Sequence, residues 1–156
     1  MIKLVRVDER LVHGQVAFAW TNSLAADCIF VVNDAVSKDK LRATSLKLAA
    51  PAGVKFVAKS VDDAIAALQS GKTDKYKLFI VVDNTADALR LVKGVEAVEH
   101  INLGNLKVKE GTTTWTNSVS VTAEDISNIK EMINAGVEVE CRSVPTEKKI
   151  MADSLI

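Results

Sequence analysis

The residues most able to do chemistry lie in the stretch RVDERLVHGQV, residues 6–16. Two arginines, two carboxylates and one histidine occupy the positions from Arg6 to His13, and Gly14 and Gln15 follow directly. A histidine can act as a nucleophile toward phosphorus, and an arginine offers a planar pair of N–H donors to phosphate oxygens. The combination indicates a site that binds an anion or accepts a phosphoryl group.

His13 stands where an apolar segment ends and a helical pattern begins, so we expect it at or just before a helix N-terminus. There the free backbone N–H groups favour an anion and oppose a protonated imidazole, which keeps the ring in the neutral form that a nucleophile needs. The amides of His13, Gly14, Gln15 and Val16 are available to a phosphate group. Gly14 also lets the backbone approach such a group closely.

The charged neighbours have separate expected roles in holding phosphate. Arg10 offers its planar fork to the oxygens, and Arg6 adds a second positive charge. Asp8 is expected to orient either Arg10 or the imidazole of His13. The turn has one glycine rather than G-x-G-x-x-G and the chain has no P-loop, so a nucleotide site is not expected. By themselves these residues support an anion-binding α/β domain, with a capping or surface role for His13 as the alternative.

Seven short, largely apolar segments are expected to be strands, and their near-continuous hydrophobicity is typical of strands covered on both faces. They span residues 2–7, 28–33, 54–58, 77–83, 99–103, 118–122 and 137–141. Helices are expected between most of them, with capping boxes that begin at Ser60 and Thr122. The alternation predicts a three-layer α/β fold with a mostly parallel sheet, whose ligand-binding carboxyl edge holds residues 8–13. The connection 104–116 has no helical period, so we expect a loop or small β excursion there and an antiparallel sixth strand.

The composition is that of a globular chain without a strong overall charge. Apolar residues make up 48% and charged residues 26% of the 156 residues, and no linker or repeat divides them, so we expect one domain over residues 1–156. Lysine plus arginine equals aspartate plus glutamate at 20 each, which argues against nucleic acid as a partner. Cys28 and Cys141 lie in apolar runs and are expected to be buried and reduced. Without a signal peptide or a membrane-spanning run, the expected location is the cytoplasm.

RVDERLVHGQV resembles the phosphorylation-site sequence of the enzyme IIB component of the mannose/fructose/sorbose family of bacterial sugar phosphotransferase systems (PTS). The resemblance extends along the chain through VVNDAV, INLGNL, SVSVTAEDI and GVEVECRSVPT. It implies that His13 is transiently phosphorylated, on Nδ1, by a cytosolic IIA protein. His13 then passes the group to a sugar that enters through the membrane components IIC and IID. The resemblance also implies an open, mainly parallel seven-stranded sheet in the order 3-2-4-1-5-6-7.

The implied protein is a phosphotransferase that uses no metal ion and no cofactor and meets the inner face of the cell membrane only transiently. The resemblance leaves open which sugar is carried and whether the chain forms a homo-oligomer. Two other functions stay open on the residues alone. One is a phospho-aspartate receiver, which fits the Asp8–Glu9 pair but lacks an acceptor aspartate where the third strand ends in Ala58–Lys59. The other is an enzyme that uses His13 as a general base.

Polar residues outside the stretch have two interpretations each. His100 is expected to be a packed or hydrogen-bonded structural residue, with a role in the site as the alternative. Asn33–Asp34 and Asp83–Asn84 follow strands and are expected to form turns or helix caps, with the rim of the site as the alternative. Gly104–Asn105 is expected to form a turn or to flank the phosphate loop, and Trp115 to contact a partner or to cover the edge of the sheet.

Overall fold

The structure, a computed structural model, describes residues 1–156 and contains nine strands and six α-helices. The strands are β1 (Ile2–Asp8), β2 (Cys28–Val32), β3 (Lys55–Lys59), β4 (Leu78–Val82), β5 (His100–Asn105), β6 (Thr113–Thr114), β7 (Ser120–Val121), β8 (Glu138–Cys141) and β9 (Ile150–Met151). The helices are α1 (Gly14–Leu24), α2 (Asp34–Ser37), α3 (Lys40–Ala49), α4 (Val61–Gln69), α5 (Thr85–Gly94) and α6 (Ala123–Asn134), and a 3₁₀ turn spans Ala152–Ser154. The expected alternation of strands and helices is confirmed.

Seven of the strands form one sheet in the order β3-β2-β4-β1-β5-β8-β9. All neighbouring pairs are parallel except β8 and β9. Numbered along the chain within this sheet, the strands follow the order 3-2-4-1-5-6-7, and the mostly parallel α/β fold is confirmed. Since β1 lies in the middle of the sheet, its carboxyl end is at the edge where open parallel sheets bind ligands.

The prediction that residues 118–122 form the sixth strand of the main sheet is wrong. Residues 118–122 contribute β7, which pairs antiparallel with β6 in a separate two-stranded sheet. The pairing is local because the Trp115 N–H donates to the Val119 carbonyl, which turns the segment back on itself. The sixth place is taken by β8 and the seventh by β9, an antiparallel edge strand of two residues that is too short to show a hydrophobic pattern. The small β excursion expected after residue 104 is confirmed.

Helices cover both faces of the sheet and create two apolar cores. Helices α4, α5 and α6 supply buried side chains to a cluster of 27 residues on one face. Helices α1 and α2 supply buried side chains to a cluster of 11 residues on the other face, where Trp20 is the largest. Because β2 and β4 place side chains in both cores, all of their residues are buried. None of the helices is both long and apolar enough to cross a membrane.

Side-chain caps fix where most of the helices begin. Thr122 and Asp125 form the predicted reciprocal capping box of α6. The Ser60 hydroxyl accepts a hydrogen bond from the Asp63 N–H at the start of α4, which is one half of the predicted box. Helix α1 alone among the α-helices begins without such a bond, because its N-cap is His13 and that side chain bonds elsewhere. The first amides of α1 are therefore left to another acceptor.

The two cysteines occupy interior positions of the sheet. Cys28 in β2 and Cys141 in β8 are free and buried, as predicted. Burial raises the pKa of Cys28 to about 11 and that of Cys141 to about 12. Both thiols are therefore protonated near neutral pH, and neither supplies a nucleophile.

Candidate functional site at the carboxyl end of β1

The loop of residues 9–13 joins β1 to α1 and carries the site. Its first turn is closed by the Leu11 N–H, which donates to the Asp8 carbonyl at 2.9 Å. Leu11 has a φ of 57° and Gly14 a φ of 38°, both in the left-handed region. A leucine is strained in that region, and burial of its side chain offsets the cost. The loop thus follows a tight path that returns His13 to the end of β1.

A buried carboxylate fixes the ring of His13. The ring Nε2 lies 2.9 Å from Asp8 Oδ2. The Asp8 side chain is fully buried, whereas 16% of the His13 side chain is exposed. The other Asp8 oxygen, Oδ1, accepts a hydrogen bond of 2.9 Å from the Arg10 N–H. A neutral imidazole in this position donates its Nε2–H to the carboxylate, which leaves the lone pair of Nδ1 unprotonated.

The N-terminus of α1 lies beside this ring and is open. His13 occupies the N-cap with extended backbone (φ −148°, ψ 122°), and no acidic residue follows in the first turn. Gly14 and Gln15 are exposed. A Cβ placed on Gly14 would meet no other atom within 4 Å, so an incoming group can approach the backbone there. The first-turn amides and the positive end of the helix favour an anion at this position.

The backbone of Arg10 is hydrogen-bonded, whereas its side chain has no partner within the chain. Its N–H is held by Asp8, while the residue is exposed. No hydrogen bond or ion pair within the chain engages its guanidinium. The side chain can therefore turn toward an anion bound at the start of α1.

Arg6 was expected to add a positive charge to the phosphate site, but its side chain points into the protein and contacts Asp8. Its side chain is buried, and Nε and Nη2 donate to Asp8 Oδ2 at 3.2 and 3.0 Å. Trp20 covers the guanidinium, with Cζ 5.5 Å from the ring centroid. Burial lowers the pKa of Arg6, and the charge of Asp8 opposes that shift. The positive charge is directed inward because it neutralises the buried carboxylate of Asp8, so Arg6 does not reach a group bound at the surface.

Sequence reasoning missed the polar residues of β5 and β8 that lie behind the site. Asn102 and Glu140 are fully buried, and Asn102 Nδ2 donates to Glu140 Oε1 at 3.1 Å. Arg142 donates two hydrogen bonds to Glu140. A signal was present in the sequence: in HINLG and EVECR the polar residues and the glycine fall at every second position, which is one face of a strand.

His100, Gly104 and Trp115 have roles that the structure now defines. His100 Nε2 lies 3.0 Å from Glu140 Oε1, which confirms a hydrogen-bonded structural histidine. Gly104 lies within β5 rather than in a turn. The next residue, Asn105, accepts a hydrogen bond of 2.9 Å on its carbonyl from the Glu9 N–H, so the end of β5 flanks the loop. Trp115 packs against the larger core and thereby covers the sheet.

The Asx residues after β2 and β4 cap helices or close turns. Asn33 accepts a hydrogen bond from the Val36 N–H and caps α2. Asn84 caps α5 in the same way, and its Nδ2 donates to Asp83 Oδ1. Asp34 Oδ1 accepts from the N–H of the first residue of α4. The expected capping roles of the two asparagines are confirmed.

Known proteins with similar sequences are named as components of sugar phosphotransferase systems. Residues 2–156 match the family model described as PTS system sorbose subfamily IIB component. The chain is 38% identical over 147 residues to the sorbose-specific EIIB component of Lacticaseibacillus casei, covering 94% of this chain and 90% of that protein. It is 35% identical over 156 residues to the mannose-specific EIIAB component of Escherichia coli (strain K12), and it spans 48% of that longer protein.

Solved structures agree with the sequence comparison. The IIBSor domain of the sorbose permease from Klebsiella pneumoniae superposes with a TM-score of 0.93 at 30% identity, over 99% of this chain and 96% of that chain. The N-acetylgalactosamine-specific IIB component 1 from Escherichia coli superposes with a TM-score of 0.90 at 27% identity, over 96% of this chain and 97% of that chain. The chain belongs to the sorbose subfamily of the IIB components of sugar phosphotransferase systems.

Proposed function

We propose that this protein is a phosphohistidine carrier in which His13 accepts a phosphoryl group from a IIA protein and delivers it to a sugar entering through IIC and IID membrane components. One observation carries the proposal. The Nε2 of His13 is held by the buried Asp8 carboxylate at the open N-terminus of α1, so Nδ1 is the free nucleophilic nitrogen. Membership of the IIB family supports phosphoryl transfer as the reaction.

The proposed partners follow from the family and from the relatives' names. The mannose-specific relative is named as an EIIAB component, which supports a IIA protein as the phosphoryl donor. The sugar is the final acceptor. We place the chain, as one domain over residues 1–156, in the cytoplasm, and at the inner face of the membrane only while it transfers the group.

The proposed reaction exchanges one bond to phosphorus for another. The lone pair of His13 Nδ1 forms a bond to phosphorus as the bond to the donor atom breaks, and the electron pair of that bond stays with the donor. Positive charge develops on the ring, and the Asp8 carboxylate stabilises it through the Nε2–H. In the second step a sugar hydroxyl oxygen bonds to phosphorus while the Nδ1–P bond returns its electron pair to Nδ1. The hydroxyl proton leaves to solvent, and His13 is again neutral.

In this mechanism the phosphoryl oxygens are bound by the start of α1 and by Arg10. The amides of Gly14 and Gln15 carry the positive end of the helix dipole to the position where negative charge arrives. Arg10 adds two N–H donors in one plane, which fit two oxygens of the same group. Asp8 orients the ring, and Arg6 acts only through Asp8.

Replacing Arg10 with lysine is expected to slow phosphoryl transfer into and out of the protein while thermal stability stays near that of the wild type. The lysine keeps the charge but loses the planar fork. We expect a loss of about 10- to 100-fold in rate, since a hydrogen bond to a charged group contributes about 1.5–3 kcal/mol. Rapid-quench measurement of phosphorylated protein gives both rates. Arg42→Lys, on the exposed surface of α3, is the matched control, and equal rates in the two variants would remove Arg10 from the site.

The proposal as a whole is tested by supplying phosphoenolpyruvate, the upstream phosphocarriers and a IIA protein, and then locating the phosphate. We expect one phosphate per chain, found on the peptide that contains His13 after digestion at alkaline pH. Phosphate on His100 or on an aspartate would contradict the proposal, as would a chain that stays unmodified while the IIA protein is fully phosphorylated.

A further inference from the structure

Gly104 in β5 occupies a position where no other residue fits beside Arg6. A Cβ built on Gly104 would overlap with Cζ, Nη1 and Nη2 of the Arg6 guanidinium. Gly104 is not among the glycines with a positive φ, so other residues could adopt its backbone conformation. Glycine is needed there because a Cβ would not fit beside Arg6. The guanidinium of Arg6 therefore lies flat against the backbone of the neighbouring strand.

Arg6 belongs to a polar row, which we define as Arg6, Asn102 and Glu140 on adjacent strands. The register of the parallel sheet places Arg6 opposite Asn102, and Asn102 opposite Glu140. Arg6 Nη1 donates to Asn102 Oδ1 at 2.9 Å, and Asn102 Nδ2 donates to Glu140 Oε1 at 3.1 Å. All three side chains are buried. Buried groups of this kind are costly unless every one is hydrogen-bonded, and here no buried polar side-chain atom lacks a partner.

The hydrogen bonds of the polar row keep Glu140 ionised although it is buried. Burial by itself would raise the pKa of Glu140, but hydrogen bonds from His100, Arg142 and Asn102 hold it below the usual value. Glu140 is therefore an anion, with Arg142 on one side and the Asn102 amide on the other. The orientation of Asn102 follows from this: its amide nitrogen faces the anion, so its oxygen faces Arg6.

We propose that the polar row is a positioning device that directs the Arg6 guanidinium onto Asp8 Oδ2, and thereby holds His13 in the Nε2–H tautomer that accepts the phosphoryl group. Gly104 supplies the space in which the guanidinium lies. This inference rests on the proposed function for its kinetic consequence, but the tautomer of His13 can be measured without any phosphoryl transfer. Arg6, Asn102 and Glu140 touch neither phosphate nor ring, so they act through Asp8.

The physical basis is the geometry of one carboxylate oxygen. Asp8 Oδ2 accepts from Arg6 Nε and Nη2 and also lies 2.9 Å from His13 Nε2. If the guanidinium is displaced, Asp8 loses its buried cation, and apart from His13 only the Arg10 N–H at Oδ1 still contacts its carboxylate, so the position of Oδ2 is no longer fixed. The ring of His13 then loses the fixed acceptor that selects its tautomer. A displacement of about 1 Å at a reacting group costs on the order of 100-fold in rate.

The test substitutes Gly104 with alanine and reads the ring of His13 by nitrogen-15 NMR together with the rate of phosphoryl acceptance. We expect the wild type to show mainly the Nε2–H tautomer, and Gly104→Ala to show a mixture with an acceptance rate about 100-fold lower. Gly94→Ala is the matched control. Its Cβ would crowd the Ile65 side chain, away from the polar row, so we expect it to change stability but not the tautomer.

Arg6→Gln, alone and combined with Gly104→Ala, tests whether Gly104→Ala acts through its clash with the Arg6 guanidinium or through a general loss of structure. Arg6→Gln ends near the position of Arg6 Nε and removes the atoms that a Cβ on Gly104 would overlap. Adding Gly104→Ala to Arg6→Gln is therefore expected to change the acceptance rate by less than about twofold, because the two changes act through the same atoms. If Gly104→Ala alone does not fold, the double variant should fold as well as Arg6→Gln does.

Two results would overturn the inference. One is a His13 tautomer that is the same in Gly104→Ala as in the wild type. The other is a double variant that is slower or less stable than Arg6→Gln by as much as Gly104→Ala is relative to the wild type. A wild-type protein that accepts no phosphate, yet shows the expected change of tautomer in Gly104→Ala, would refute the proposed function and leave the positioning role of the row intact.

Discussion

Replacing His13 with alanine is expected to abolish phosphoryl acceptance while the protein folds with near-normal stability. The carboxylates of the loop are already engaged, Asp8 by Arg6 and Glu9 by the Lys107 N–H, and both thiols are buried and protonated. Asp8 keeps its ion pair with Arg6 when the ring is removed, so no buried charge is left alone. We expect the free energy of unfolding to change by less than about 1 kcal/mol, as for most partly exposed loop residues.

The measurement is phosphate incorporation from phosphoenolpyruvate through the upstream carriers, with thermal unfolding measured on the same samples. His100→Gln is the matched control, because it removes the second histidine of the chain from a partly exposed position outside the loop while the glutamine amide keeps an N–H donor for Glu140. We expect that variant to be phosphorylated as the wild type is. Normal incorporation in His13→Ala would show that the carrier residue lies elsewhere.

Asp8→Asn is expected to have the second large effect, on both transfer and stability. An asparagine has one oxygen for two acceptor positions: with its oxygen at Oδ2 the NH₂ faces the Arg10 N–H, and with its NH₂ at Oδ2 it faces the two Arg6 donors and Nε2 of His13. In both orientations the neutral amide no longer stabilises the positive charge that develops on the ring, and in the second the ring proton moves to Nδ1 and blocks the nucleophilic lone pair. A loss of up to about 10⁴ in transfer rate is expected, the size of the effect of the same carboxylate-to-amide change beside a catalytic histidine. The Arg6 guanidinium also loses its buried anion, and breaking a buried ion pair from one side costs about 3–5 kcal/mol.

The two consequences of Asp8→Asn are separated by measuring transfer well below the midpoint of thermal unfolding. Glu9→Gln is the matched carboxylate-to-amide control: Glu9 is in the same loop, but its Oε2 accepts from the Lys107 N–H and its side chain faces Lys109. We expect Glu9→Gln to transfer at close to the wild-type rate. An Asp8→Asn protein that is folded and transfers phosphate normally would remove Asp8 from the mechanism.

The part of the site that could be predicted from the sequence is the part that is local in the chain. Asp8, Arg10 and His13 are within six residues of one another at a strand-to-helix junction, so their proximity follows from the order of the residues and the topology of parallel sheets. The strands could be placed because β2 and β4 are continuous apolar runs, which only a doubly covered sheet buries.

The part that could not be predicted depends on register between strands far apart in the sequence. The position of Arg6 is set by Asn102, which lies opposite it only because β1 pairs with β5 in one register. Alternation along β1 puts Arg6 and Asp8 on the same face, but it does not say whether that face is open or covered by Trp20. The sixth strand was misplaced for a similar reason, since β7 finds a nearer partner in β6.

The central claim is most directly tested by nitrogen-15 and phosphorus-31 NMR of the protein after phosphorylation by its upstream carriers. We expect a phosphoramidate on Nδ1 of His13, with Nε2 still protonated, because Nε2 lies 2.9 Å from Asp8 Oδ2. The modification should be stable in base and labile in acid. A phosphorus-bonded Nε2 would contradict the orientation of the ring, and a phosphate that is lost in base would contradict a histidine carrier altogether.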